Sequence, residues 1–184
     1  MAKKFVNPTK VVTGECRFSY ANLWEAKAMD ENSKPKYSVS LIIPKSDTKT
    51  IEKVKAAIQA AYDEGKSKLS NGKSVPSLNS IKTPLRDGDI DRPDDEAYAN
   101  SYFINANSII APGIVDADRQ PILEHSEIYS GIYGRASITF YAFNTKTSRG
   151  IACGLQNVQK LRDGDPLGGH SSAEEDFADD DFLD

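Results

Sequence analysis

The sequence has little of several things, and each shortage excludes a class of answer. Only two cysteines occur, Cys16 and Cys153, each inside an apolar-looking stretch. A disulfide framework is therefore not expected, and a reducing compartment, the cytoplasm, is the simpler setting. His125 and His170 are the only histidines, and neither has a cysteine or second histidine at ligand spacing, which argues against zinc. No run approaches the roughly 18 consecutive apolar residues of a membrane span. The opening Met1-Ala2-Lys3-Lys4-Phe5 has no apolar run behind its lysines, so no secretory signal is expected. There is no phosphate-cradling lysine motif, no nucleophile elbow and no internal repeat. Neither catalysis nor a cofactor is expected from such a chain.

Basic residues are missing from one place in particular. Between Ser171 and Asp184 there is no Lys or Arg, while Glu174, Glu175, Asp176, Asp179, Asp180, Asp181 and Asp184 supply seven of the 27 acids. That leaves 20 acids against all 23 lysines and arginines, so residues 1–170 carry about +3 although the whole chain is at −4. Two domains of unlike kind are read from this: a mildly basic body, 1–170, and an acidic flexible tail, 171–184, too poor in apolar surface to fold. Phe177 and Phe182 stand among the tail's acids. Solubility alone does not require aromatics, whereas docking into a basic pocket with an apolar floor does. The same acids could occupy the body's own cationic surface and compete with phosphate.

The length, 184 residues, allows one core domain with an appendage. Residues 11–24 alternate, with Val12, Cys16, Phe18 and Tyr20 assigned to one face and Gly14 to a bend; residues 36–43 repeat the pattern with Tyr37, Val39, Leu41 and Ile43. Tyr37, Phe18 and Phe140 are thereby assigned to the core. Ile51, Val54, Ile58, Ala61 and Tyr62 recur at helical spacing behind a cap at Asp47 or Thr48. Residues 70–97 read as a long irregular stretch. Further strands are expected over 98–110, in a hairpin about Asp116-Ala117-Asp118, over 135–143 with Ala136, Ile138, Phe140 and Ala142 inward, and over 150–161. About five or six strands with one long inserted helix predict a mainly β, OB-fold-like barrel.

Two chemistries compete for the charged residues. The run Arg86 to Glu96 places acids at 87, 89 and 91 like the start of a calcium loop. Arg92 stands where that loop needs glycine, however, and Tyr98 where it needs glutamate. No metal site is assigned, although a metal-dependent nuclease using Asp87–Glu96 remains an alternative. Single-stranded nucleic acid fits better, because its binders combine cations with aromatic faces. Lys34, Lys36, Arg86, Arg92, Arg135, Lys146 and Arg149 are the candidate phosphate contacts, and Trp24, Tyr102 and Tyr141 the candidate stacking rings.

Leu85-Arg86-Asp87-Gly88-Asp89, Tyr102-Phe103-Ile104-Asn105-Ala106, and Gly154 to Lys160 leading into Arg162-Asp163-Gly164-Asp165-Pro166-Leu167-Gly168-Gly169 resemble one family. It is the phage-encoded single-stranded DNA-binding proteins of OB-fold type with an acidic C-terminal tail. The resemblance runs over nearly the whole chain and is most specific at 162–169. It implies a barrel that coats single-stranded DNA, with weaker duplex affinity, during replication and recombination in an infected bacterial cell. It also implies a tail, Glu174 to Phe182, that recruits replication proteins such as a DNA polymerase or primase-helicase. Two features depart from the pattern: the helix follows the second strand rather than the third, and Leu183-Asp184 follow the last aromatic. A strand-annealing protein and a structural virion protein are the other readings, and homodimerisation through the tail or a barrel edge is left open.

Overall fold

The computed structural model describes residues 7–28, 30–70 and 72–167. The tail assigned to 171–184 lies outside them. Among the described residues there are eight strands: β1 (Lys10–Val12), β2 (Cys16–Lys27), β3 (Lys36–Pro44), β4 (Leu85–Asp87), β5 (Ser101–Ser108), β6 (Gly113–Val115), β7 (Tyr133–Asn144) and β8 (Arg149–Arg162). Helix α1 (Thr48–Glu64) runs on into a single turn, α2 (Lys66–Ser70), and another turn, α3 (Gly88–Asp91), follows β4.

Five strands close on themselves. β2 pairs antiparallel with β3, β3 with β5, and β7 with both β8 and β2; β5 joins β8 in parallel through a single pair, Asn107 with Gly154. The cyclic order β2-β3-β5-β8-β7 is that of a five-stranded Greek-key barrel of OB type. The helix sits between the second and third barrel strands, where the sequence put it. β1 continues the line of β2 along β7, β4 adds to β5, and β6 pairs in parallel with β8.

The barrel fills because β7 and β3 supply uninterrupted apolar faces. Gly134, Ala136, Ile138, Phe140 and Ala142 alternate inward, and Phe18, Leu41, Ile43, Ile104 and Leu155 meet them. Replacing Phe140 with Ala would cost about 3–5 kcal/mol at such a site. α1 closes one end with Ile51, Val54, Ala57, Ile58 and Ala61, its start capped by Asp47, whose side chain accepts from the Thr50 N–H at 3.2 Å. Gly14 is where the chain bends past that cap: a Cβ there would come within 2.7 Å of Asp47 Oδ2. Cys16 and Cys153 are buried free thiols, and burial pushes Cys16 up to about 12.

Several sequence-based assignments need correction. The bend at Gly14 shifts the phase, so Val11 is buried and Val12 exposed. A bulge in β2 between Ser19 and Asn22 turns Tyr20 outward as well, at 57% exposure and with φ of +47°. Tyr37 is half-buried at the start of β3, beyond the packed core. The stretch 70–97 is not wholly irregular, since β4 pairs with β5 and α3 follows it. Tyr98 belongs to a 3₁₀ turn rather than a strand and is fully buried.

That turn lies on the outside of the barrel. Ile42, Tyr98 and Phe103 form a second small cluster on the outer face of β3 and β5. Tyr98 and Phe103 meet edge to face, ring centroids 5.0 Å apart, and the Tyr98 hydroxyl donates to Ser40 Oγ at 3.0 Å. Leu167 packs on the same cluster. The segment leading to Leu167 is strapped down along its length. Arg17 Nη2 donates to Asp165 O (2.7 Å), the Leu167 N–H to Ser130 O (2.8 Å), and a Cβ on Gly164 would collide with Gly131 O. Lys160, 8% exposed, anchors its root between Asp163 (2.6 Å) and Glu127 (2.8 Å). Burial alone would lower that ammonium, and the two carboxylates outweigh it, holding its pKa above the ordinary value. The stretch most specific to the resemblance thus has a structural task over its described part, which is to hold residues 163–167 against the barrel.

Candidate nucleic-acid interface

A groove follows the outer face of β2 and β3. Its first part is a cavity of about 370 Å³ bordered by Tyr20, Asn22, Lys27, Asp95, Ser130 and Leu167. Its second, about 380 Å³, is bordered by Lys27, Ser33, Lys34, Lys36, Ser38 and Asn107. Lys27 borders both, so the two adjoin.

The second part is defined by unsatisfied charge. Lys27 and Lys36 are register partners across β2–β3, and Lys34 stands in the connecting loop. Among the described residues none of the three makes a salt bridge. Like charges opposite one another on a sheet destabilise it. An anion between these ammonium groups would relieve that repulsion, so the arrangement suits a phosphate. The first part is defined by aromatic surface. Arg92 stands over the Tyr20 ring at 5.5 Å from its centroid, with Tyr98 at 5.6 Å and Phe103 at 5.7 Å. A guanidinium on an exposed tyrosine offers a cation and a π face at one point.

Of the ten residues proposed from the sequence, the structure brings Lys34, Lys36 and Arg92 to this groove and places the other seven elsewhere. Lys146 and Arg149 border a separate concavity of about 320 Å³ with Lys73 in the β7–β8 turn, where Arg149 Nη1 also donates to Leu69 O at 3.0 Å. Tyr141 is exposed on the outer face of that hairpin. Arg135 Nε donates to Thr13 O at 2.9 Å and ties the β1–β2 bend to β7. Tyr102 packs against the core with Lys45 Nζ 5.3 Å from its ring. Trp24 is stacked on His125, centroids 4.3 Å apart at 11°, and its indole N–H donates to His125 O, so one ring face is taken. Arg86 Nε is paired with Asp91 at 2.8 Å.

The first three acids of the loop have their charges matched. Lys45 Nζ lies 3.0 Å from Asp87 and 2.8 Å from Asp89, and Asp87 and Asp95 each cap a short helical turn. The Lys45 ammonium holds the Asp89 carboxyl below the ordinary range, helped by the Asn100 N–H. Among the described residues no three acid, histidine or cysteine side chains converge as metal ligands would.

Tyr20, Asn22, Lys27, Asp95 and Ser130 are groove residues that the sequence reading missed. For Lys27 a signal existed: it and Lys36 flank the 30–35 loop as a hairpin pair.

Comparison with known proteins gives a consistent picture. The family model described as Enterobacter phage Enc34, ssDNA-binding protein, matches residues 9–184. Protein p50 of Acyrthosiphon pisum secondary endosymbiont phage 1 is 31% identical over 174 residues, covering 90% of this chain and 91% of its own. Among solved structures, the single-stranded DNA-binding protein of bacteriophage Enc34 in complex with ssDNA superposes with a TM-score of 0.72 at 24% identity, over 87% of this chain and 90% of that one. The single-stranded DNA-binding protein gp2.5 of bacteriophage T7 does so with 0.58 at 16% identity, over 93% of each. These two likenesses are of fold.

Proposed function

The chain belongs to the family of ssDNA-binding proteins described for Enterobacter phage Enc34, and on that footing we propose that it binds single-stranded DNA along the groove from Tyr20 to Asn107. One observation carries the reading: a concavity lined by three lysines without salt bridges adjoins, through Lys27, one bordered by an exposed tyrosine on which a guanidinium stands. Phosphates would lie against Lys27, Lys34 and Lys36, and bases against Tyr20 and Arg92. Lys146 and Arg149 would extend the contact to the β7–β8 turn. Such contacts suit largely sequence-independent binding without catalysis, with a footprint of about 4–16 nucleotides. The setting would be phage replication and recombination in the host cytoplasm.

The acidic tail would modulate this binding and recruit replication proteins. Supporting the first role, Leu167 borders the groove and stands four residues before the segment that carries the seven acids. Fluorescence anisotropy with oligo-dT and a matching duplex, at two salt concentrations, tests both claims. Tight, salt-sensitive preference for the single strand is expected, and deleting 171–184 should tighten binding most at low salt. Absent binding at low salt would discard the function, and unchanged affinity of the truncated protein would discard the competition.

A further inference from the structure

The first part of the groove contains a group that a uniform phosphate channel would not. Asp95 borders the cavity beside Tyr20, within a surface otherwise proposed to attract phosphate. A carboxylate there repels the DNA backbone, so whatever enters must present something other than phosphate.

The hydrogen-bonding capacity around the cavity is partly used and partly open. Asn22 Nδ2 donates to Tyr20 O (3.2 Å) and Ser38 Oγ (3.3 Å), and Ser130 Oγ accepts from the Ala21 N–H (3.0 Å). Asp95 Oδ1 accepts from the Ala97 N–H at 3.1 Å. Among the described residues no donor reaches Asp95 Oδ2 or Asn22 Oδ1, so two acceptors are left for a ligand. Lys27, which borders the same cavity, supplies a donor shared with the phosphate-like site. Asp95 is held in place, its carbonyl accepting from the Tyr98 N–H at 3.0 Å and its N–H donating to Arg92 O at 3.2 Å.

On the reading of this groove as the single-strand interface, we propose that the cavity beside Tyr20 is a nucleobase subsite that favours bases carrying an exocyclic amino group, with the Asp95 carboxylate as the discriminating acceptor. Its volume lies within the ~300–1,000 Å³ of small-ligand sites, and the Tyr20 ring supplies a wall for stacking. Cytosine turns an N4 amino donor toward Asp95 while its O2 can accept from Lys27. Adenine and guanine offer amino donors as well. Thymine has a carbonyl at position 4, which would oppose the carboxylate. Binding would then be tolerant of sequence yet biased at one position per protein.

The test is competition on the full chain between oligo-dT and an oligomer of 5-methyldeoxycytidine of equal length. The two bases share the methyl group and differ at positions 3 and 4. The wild type should prefer the amino-bearing oligomer by about fivefold, as for one partly exposed base contact. Asp95→Asn keeps the oxygen that caps the turn but replaces the second with an amide donor, so the preference should vanish or invert. Its loss of charge should strengthen both complexes alike and leave the ratio as the readout. Equal wild-type affinities, with tight binding of both, would overturn the base preference and leave the single-strand reading standing. A preference that survives in Asp95→Asn would remove Asp95 as its source and overturn the proposal too. No binding of either oligomer would end both. If that variant does not fold, Asp95→Ser, which keeps a capping oxygen without the charge, takes its place in the same competition.

Discussion

Two charge-rich regions of this barrel differ in one respect, and the difference separates a surface from a site. In the first part of the loop, 86–91, acids and bases are interleaved and matched: Lys45 sits between Asp87 and Asp89, and Arg86 on Asp91. Around the start of β3, Lys27, Lys34 and Lys36 border one concavity whose lining holds no acid, and none of them is in a salt bridge among the described residues. By density the first looks the more functional, and it is the one that resembles a metal loop. By compensation it is the second that is left wanting a ligand.

The largest effect should come from removing that imbalance. The triple substitution Lys27→Ala, Lys34→Ala, Lys36→Ala should weaken single-strand binding about a hundredfold at near-physiological salt and reduce the slope of log K against log salt by about two, at roughly 0.7 per phosphate contact. Because mutual repulsion is lost, the thermal midpoint should not fall. A normal salt slope would mean that the lysines are only a solvated face. Tyr20→Ala should come next. It should cost binding about 1 kcal/mol, the low end for a stacked base because Arg92 already occupies the ring. Tyr20→Phe should behave as wild type in the same anisotropy assay.

The matched loop should respond in the opposite sense. Lys45→Ala should lower the thermal midpoint slightly and leave DNA affinity alone. Asp89, held low in the folded protein, contributes stability above the ordinary carboxylate range, and this is lost as pH falls through the folded value. Acid titration of the midpoint should therefore be shallower in Asp89→Asn than in wild type. If Lys45→Ala instead abolished DNA binding, the contrast between the two regions would collapse.

What could be read from the sequence follows the range of the interactions involved. α1 and its Asp47 cap, and the inward face of β7, depend on neighbours within a turn or two residues, so periodicity shows them. Tyr20 does not, because a bulge moves it to the other face without changing the composition around it. Trp24 reads as a stacking ring, and His125, about a hundred residues on, takes one of its faces. Arg135 and Arg149 are spoken for by carbonyls of Thr13 and Leu69 that no local pattern reveals. Three of the ten candidate contacts reach the groove, since residue type carries chemistry but not convergence.

Barrel closure has one more consequence, for solubility. A protein that coated one strand in many copies would be crowded against itself, and exposed β-edges are where crowded chains fuse. Here each of the five barrel strands meets a barrel strand on both flanks, β2 meeting β7 at Cys16 and Arg17 and β5 meeting β8 at Asn107. Those that pair on a single flank, β1, β4 and β6, have only three residues each, and Pro121 bridges to β6 at Val115. Those three-residue edges offer a neighbouring molecule little backbone to add to, which would let copies pack closely without extending the sheet there.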